Sequence, residues 1–147
     1  MESPIGPLKI TSNECAILSI EHNLEGRNSD KLPNVLEQCM NQLTEYFAGK
    51  REVFDVKLEL NGTPFQQQVW QALQQIPFGE VRTYKQIAEM IDNEKAVRAV
   101  GNANNKNKLP IIVPCHRVIG SNGSLVGYAL GLEYKERLLK LEKRSES

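Results

Sequence analysis

The sequence predicts an α+β protein in two parts: a small N-terminal lobe of strands and one helix over residues 1–61, then a mostly helical domain over residues 62–147. Three observations carry this. Short apolar runs and one strictly alternating segment fill the first part, helical periodicity with capping signatures takes over after Asn61-Gly62, and the net charge changes sign at the same place.

Each element follows from local pattern. Leu8-Lys9-Ile10-Thr11 and Ala16-Ile17-Leu18-Ser19-Ile20 read as short strands joined through Ser12-Asn13-Glu14, a hairpin. Pro33, tolerated in a first helical turn, opens a helix whose inward stripe is expected at Leu36, Met40, Leu43 and Phe47, up to Gly49. Phe54, Val56, Leu58 and Leu60 alternate with Asp55, Lys57 and Glu59, which predicts a further strand with one buried face.

Beyond the Asn61-Gly62 turn, Thr63, Pro64 and Gln66 form a capping-box start, in which the hydroxyl and the amide side chain satisfy free backbone N–H groups. Phe65, Val69, Leu73 and Ile76 give the inward stripe, and Pro77-Phe78-Gly79 ends it. Thr83-Tyr84-Lys85-Gln86 repeats the signature before a short helix with Ile87, Ala88 and Ile91 on one face. Asp92-Asn93 breaks that helix. Asn93 is expected to cap another from Glu94 to about Ala103, which makes a helix-turn-helix. Asn104 to Lys108 reads as a polar loop, and Pro110 to Ile119 as an apolar segment interrupted by Pro114-Cys115-His116-Arg117. A turn at Ser121-Asn122-Gly123, a loop at Gly127 to Gly131 and a terminal helix from Leu132 to Lys143 complete the chain.

Composition narrows the classes of function. The 18 basic and 18 acidic residues cancel, but residues 1–61 hold 6 Lys/Arg against 10 Asp/Glu, a net −4, and residues 62–147 hold 12 against 8, a net +4. A basic second half suits contact with phosphates and suits an ordinary solvated face equally well. The longest apolar runs fall far short of about 18 residues, and the N-terminus lacks the basic start and apolar stretch of a signal peptide, so a soluble, cytoplasmic protein with no membrane partner is expected. Cys15, Cys39, Cys115, His22 and His116 lack metal-ligand spacing, and the odd cysteine count argues against a disulfide framework. Reduced thiols and no metal are expected.

Two features bear on chemistry. Cys115 lies between a proline and His116, with Arg117 following. A thiol attacks carbon as thiolate, and a neighbouring imidazole that takes its proton makes a nucleophile of it. The same pair also suits an ordinary buried thiol beside a hydrogen-bonded core histidine. In the second helix of the helix-turn-helix, Val97 and Val100 should face inward, leaving Arg98, Asn102 and Asn105 outward with the small residues Ala99 and Gly101. A glycine inside a helix costs about 1 kcal/mol relative to alanine, so close approach of another backbone is expected at Gly101. An arginine among small residues fits a narrow groove and can enter a base stack. A Gly/Ala helix packed on a neighbour, with Arg98 solvated, fits as well.

The segment Ile111-Ile112-Val113-Pro114-Cys115-His116-Arg117-Val118-Ile119-Gly120 resembles the signature of the O6-alkylguanine-DNA alkyltransferases, the methylated-DNA–protein-cysteine methyltransferases. The resemblance is colinear from Phe65 to Glu142, through Phe65 to Trp70, Phe78 to Val81, Thr83-Tyr84, Ala96 to Gly101, Asn107 to Pro110 and Tyr128 to Leu139. It implies a ribonuclease-H-like N-terminal lobe, mainly structural, and a C-terminal alkyltransferase domain with a winged helix-turn-helix.

It also implies roles. Cys115 is the acceptor, His116 draws its proton through a water, and Glu142 orients the imidazole. Arg98 fills the hole left by an extruded base, and Tyr84 presses on the target phosphate and donates a hydrogen bond to the leaving guanine. Ala99, Gly101 and Asn102 line the DNA-facing surface. Asn107 braces the helix-turn-helix against the cysteine segment, while Tyr128, the Ala129 N–H and the carbonyls of Cys115 and Val118 form the base pocket. The implied activity is stoichiometric, irreversible transfer from O6-alkylguanine, and from O4-alkylthymine if that base is accepted, in double-stranded DNA entered through the minor groove. A monomer does this without a cofactor, because the thiolate attacks the alkyl carbon directly; a thioether is not reduced by cellular thiols, so each molecule acts once. With Cys115 as floor of a base-sized cavity, a cleft should lead to the sulfur. Lys108 stands where many relatives have proline, and Leu130 where glycine is usual, which bears on the range of alkyl groups accepted.

Three other readings stay in view. An alkyltransferase-like damage sensor lacks the acceptor thiol, which Cys115 supplies here. A helix-turn-helix regulator needs a dimer interface or effector domain. A cysteine hydrolase needs an oxyanion hole.

Overall fold

The computed structural model describes residues 1–23, 33–120 and 131–144, and the chain divides into two units, Met1–Leu60 and Asn61–Ser147. In the first, β1 (Leu8–Ser12) and β2 (Ile17–His22) pair antiparallel with Ile10 opposite Ile20. Asn13 makes the turn, because its Oδ1 accepts from the backbone N–H groups of Cys15 and Ala16 at 2.8 and 2.7 Å. Helix α1 (Asn34–Phe47) packs against both strands, with Pro33 at its N-cap.

The buried face of α1 is Val35, Leu36, Cys39, Gln42, Leu43 and Tyr46, whereas Met40 and Phe47 sit at its margin. The expected stripe of Leu36, Met40, Leu43 and Phe47 is therefore rotated. Cys39 and Tyr46 are as fully buried here as Leu43, Tyr46 packs 5.4 Å from Phe54, and the Gln42 amide is satisfied on both sides by the Asp55 carboxylate and backbone N–H. The segment expected as a strand keeps its alternation of burial. Among the described residues its pairing is a parallel bridge between Ile17 and Leu58, in which Ile17 donates to Lys57 and Glu59 donates to Ile17, both at 2.9 Å.

The second unit begins with α2 (Pro64–Leu73), started by the full capping box of Thr63 and Gln66. Trp70, 2% exposed, donates its indole N–H to the Ala103 carbonyl at 2.9 Å, which ties α2 to a later helix. Gly62 accommodates that indole. A Cβ there would stand 2.6 Å from the Trp70 ring.

Strand β3 (Arg82–Thr83) leads into α3 (Tyr84–Met90), which Thr83 and Gln86 cap as expected. Asp92, at φ 56°, stops α3. Asn93 does not cap the next helix, because residues 93–96 first close a turn through Ala96 N–H to Asn93 O at 3.0 Å; α4 runs Val97–Asn105. It packs on α2 and α3 as the second member of a helix-turn-helix. Since α4 continues past Ala103, Asn104 belongs to its inward face and is 0% exposed rather than part of a polar loop. Cys115–Arg117 form a 3-10 turn, followed by β4 (Val118–Ile119), parallel to β3, and α5 (Leu132–Arg144) closes the described chain. The expected turn at Ser121 to Gly123 and most of the Gly127 to Gly131 loop lie outside the described residues. No helix among the described residues is long and apolar enough to cross a membrane.

Candidate active site

The 3-10 turn delivers three consecutive buried side chains: Cys115 and His116 at 0% and Arg117 at 6% exposure. Helix α5 meets them with one inward stripe, Lys135, Leu138 and Glu142, spaced by three and four residues so that they share a face. His116 Nε2 lies 2.6 Å from Glu142 Oε2. Arg117 donates from Nε to Glu142 Oε1 at 2.8 Å and from an Nη to Oε2 at 3.0 Å; its other Nη donates to the Ile76 carbonyl at 2.7 Å. Its guanidinium also sits 5.7 Å from the centre of the Phe78 ring.

These contacts set the protonation states. Burial pushes the Glu142 carboxyl up, but the hydrogen bonds and charges of His116 and Arg117 pull it down to about 2, so it is a carboxylate. Burial pushes His116 down, outweighing the Glu142 contact that raises it, and the imidazole is neutral near pH 7. A neutral ring that donates from Nε2 to a carboxylate presents Nδ1 as an acceptor. Burial pushes the Cys115 thiol up to about 11, against a hydrogen bond from the Asn107 side chain and the charge of Lys135. The resting sulfur is therefore a thiol beside a neutral imidazole. It is covered, not open at the floor of a cleft as expected.

Asn107, 3% exposed, donates from Nδ2 to the Val113 carbonyl at 2.8 Å and accepts from the Leu109 N–H at 2.9 Å. It thus clamps both sides of Ile111, a β-branched residue at φ 78°, where side chains are strained. Tyr84 opens α3, and burial followed by the charge of Cys115 raises its phenol, which keeps its hydrogen near neutral pH. Val118 is 0% exposed.

Arg98, Ala99 and Asn102 occupy the exposed face of α4, with Gly101 partly exposed among them. Among the described residues no backbone approaches Gly101; the nearest atoms to a Cβ there would be those of the Tyr84 ring at 3.9 Å. Tyr128, Ala129 and Leu130 lie outside the described residues.

Three participants escape a reading of the sequence. Arg117 donates to both oxygens of Glu142, Asn104 donates to the Cys115 carbonyl at 3.4 Å, and Lys135 holds its ammonium 5.9 Å from the centre of the Tyr84 ring. A signal exists for Lys135, since it and Glu142 are charges at apolar positions of a helical stripe. Burial brings Lys135 down to about 8, against the charge of Cys115, which raises it. Among the described residues no group of three or more His, Cys, Asp or Glu is arranged to hold a metal.

Comparison with known proteins places the geometry. Residues 64–144 match the 6-O-methylguanine DNA methyltransferase, DNA binding domain, and residues 1–60 match the ribonuclease-like domain of the same proteins. The methylated-DNA–protein-cysteine methyltransferase of Methanosarcina barkeri is 49% identical, covering 99% of this chain and 96% of that one. The constitutive one of Bacillus subtilis is 46% identical over 98% and 93%. The crystal structure of Mycobacterium tuberculosis OGT in complex with DNA superposes with a TM-score of 0.90 at 44% identity, covering 99% and 91%. With both parts matched and relatives this similar along nearly its whole length, the chain belongs to the 6-O-methylguanine DNA methyltransferase family.

Proposed function

We propose that this protein is a methylated-DNA–protein-cysteine methyltransferase that repairs DNA directly, with Cys115 as the acceptor of the alkyl group from O6-alkylguanine. The observation that carries the reading is the buried run Cys115-His116-Arg117 locked to Glu142, next to a helix-turn-helix, in a chain of this family.

The chemistry follows from the protonation states. His116 Nδ1 draws the thiol proton through an interposed water while Glu142, held anionic by Arg117, stabilises the imidazolium that forms. The sulfur then attacks the alkyl carbon, the carbon–O6 bond breaks, and the electron pair leaves with guanine. Tyr84 donates to the departing ring, and in the net reaction the thiol proton ends on the base. The thioether formed is inert to cellular thiols, so each molecule acts once. Because the resting sulfur is covered, the substrate must displace whatever shields it.

Duplex DNA is the partner, entered from the minor groove by the exposed face of α4. Arg98 occupies the place of the extruded base, with Ala99, Gly101 and Asn102 against the backbone. Asn107 braces the cysteine segment, and the carbonyls of Cys115 and Val118, with Tyr128 and Ala129, receive the base. Residues 62–147 hold the alkyltransferase activity and residues 1–61 form a structural lobe. The protein works as a monomer in the cytoplasm and needs no cofactor.

The test is mass spectrometry after incubation with an oligonucleotide duplex carrying O6-methylguanine. One methyl group should appear on Cys115 in one-to-one amount, and Cys115→Ala should abolish transfer while DNA binding survives. Repeated turnover, or methyl groups on Cys15 or Cys39, would overturn the reading.

A further inference from the structure

Asn104 is the one wholly buried side-chain amide on α4, and nothing in the reaction so far uses it. Its Nδ2 lies 3.4 Å from the Cys115 carbonyl oxygen, and its side chain stands close enough to the Tyr84 phenol to pull it down against burial, as a hydrogen-bond donor does. The direction of the amide is fixed by chemistry. A carbonyl oxygen only accepts, so the nitrogen faces Cys115, and an NH2 group has a second hydrogen to give to the phenolic oxygen. The other end of the amide is left over: Oδ1 is buried with no hydrogen-bond partner among the described residues. An unmet buried acceptor is destabilising, so the nitrogen end should do something that an apolar side chain cannot.

Helix α4 faces Tyr84 at two positions, three residues apart. Gly101 leaves room for the ring, which would stand 3.9 Å from a Cβ at that position, and Asn104 reaches the hydroxyl. A phenol has one hydrogen. If its oxygen accepts from Asn104, that hydrogen is directed elsewhere, whereas an unheld hydroxyl turns freely and can spend its hydrogen on a nearby carbonyl.

We propose that Asn104 is a positioning residue for Tyr84: its Nδ2, anchored on the Cys115 carbonyl, donates to the phenolic oxygen and so keeps the Tyr84 hydrogen directed at the leaving guanine. The proposal rests on Tyr84 donating to the base in the alkyl transfer described above. It explains why a carboxamide is retained on the inward face of α4 despite an unsatisfied oxygen, and it links the helix-turn-helix to the chemistry through one side chain. The same bond opposes the burial and the Cys115 charge that raise the phenol, which makes Tyr84 a better donor as charge develops on the base.

The experiment is a double-mutant cycle on the single-turnover transfer rate from an O6-methylguanine duplex, with full-length protein and saturating enzyme. Asn104→Leu, which removes the donor at similar volume, should slow transfer about tenfold, the worth of one ordinary hydrogen bond. Tyr84→Phe should slow it at least as much, and the double variant should be no slower than Tyr84→Phe alone, because Asn104 acts through the hydroxyl. Losses that multiply would overturn the proposal, since a merely structural amide weakens the site whether or not the hydroxyl is present. Should Asn104→Leu disturb folding, Asn104→Ala and Asn104→Ser leave similar cavities and differ in one hydroxyl. Serine should then recover several-fold over alanine when Tyr84 is intact and nothing in the Tyr84→Phe background; equal rates for the two with Tyr84 intact would refute the role. A wild-type protein that accepts no methyl group overturns the alkyl-transfer reading itself, and that result is seen before any variant is made.

Discussion

His116 Nε2 stands 2.6 Å from Glu142 Oε2, with both side chains shut off from solvent at 0% and 1% exposure. A buried carboxylate is tolerable only when fully paired, and here the two consecutive residues His116 and Arg117 hold its oxygens, with the Gly79 N–H adding a longer bond to Oε1 at 3.4 Å. The orienting group of the proposed proton acceptor is therefore also a keystone of the second unit.

Stability should accordingly fall on acidification in two stages. His116 is held below its ordinary value of 6.5 in the folded state, so the unfolded chain binds a proton first and stability is lost as pH drops below about 6.5. Glu142 is held down to about 2 against an ordinary 4.5, so its contribution is complete above 4.5 and disappears as pH falls towards 2. That second stage is of the order of 3 kcal/mol. Urea midpoints measured between pH 7 and pH 3 should fall throughout that range; a midpoint that does not change between pH 5 and pH 3 would contradict the Glu142 assignment.

Glu142→Gln isolates the charge. The amide keeps the shape but leaves Arg117 buried without its counter-charge, and breaking a buried pair from one side costs about 3–5 kcal/mol. We expect a large drop in melting temperature together with slower methyl transfer. The double variant Glu142→Gln with Arg117→Met should recover much of the stability and little of the rate, because the orienting carboxylate for His116 is still missing. Full recovery of both would mean that Glu142 serves only to neutralise Arg117.

How much of this is legible in the chain depends on whether a signal is local. The capping boxes at Thr63 and Thr83 are readable because each is closed within four residues, and both helix starts are where the pattern predicts them. The failures share a cause: tertiary context overrides local pattern. Asn104 looks like loop because it is polar, yet two more residues of α4 carry it inward to the Cys115 carbonyl. Met40 and Phe47 look like core, but Tyr46 and Cys39 fill it instead. The 54–60 segment reads as a strand from alternation alone, and alternation reports which side chains are buried without fixing how many backbone bonds form. In the site, Cys115, His116 and Glu142 can be named from the family resemblance. Arg117 as a second partner of Glu142 cannot, because the pairing spans 25 residues and no periodicity records it.

The three thiols should differ sharply toward a small disulfide reagent. Cys15 is exposed, whereas Cys39 and Cys115 are both buried and are pushed up to about 12 and about 11 by the loss of solvent. In native protein without DNA we expect one fast-reacting thiol, at Cys15, and two more only on unfolding. Prior treatment with an O6-methylguanine duplex should leave Cys15 as it was and reduce the unfolded count from three to two. Rapid labelling of Cys115 in the resting protein would show that the sulfur is open to solvent.

Gly62 should be unusually intolerant for a surface turn. A Cβ at 2.6 Å from the Trp70 ring cannot be relieved by a flexible side chain, because the indole is buried and tied through its N–H to Ala103. Forced overpacking of this kind costs about 1–3 kcal/mol. Gly62→Ala should therefore lower the urea midpoint and red-shift the fluorescence of Trp70, the only tryptophan in the chain. An unchanged midpoint would mean that the turn can swing away from the indole at no cost.

Arg98 offers the sharpest separation of DNA handling from chemistry. It lies on the exposed face of α4 beside Ala99 and Asn102, while Cys115, His116 and Glu142, the groups proposed for the chemistry, are buried. Extruding a base from duplex sacrifices its stacking and pairing, a few kcal/mol, and a side chain that occupies the vacated place recovers part of that loss. A free base in solution has no stack to leave. Arg98→Ala should consequently slow transfer from an O6-methylguanine duplex by about tenfold to a hundredfold, as expected for about 1.4–3 kcal/mol, and leave reaction with free O6-benzylguanine nearly unchanged. Arg98→Lys keeps the charge for phosphate attraction but not the flat guanidinium, so it should restore affinity for DNA more than it restores the transfer rate. If both substrates slow equally in Arg98→Ala, the arginine supports the fold or the sulfur and not the extruded state.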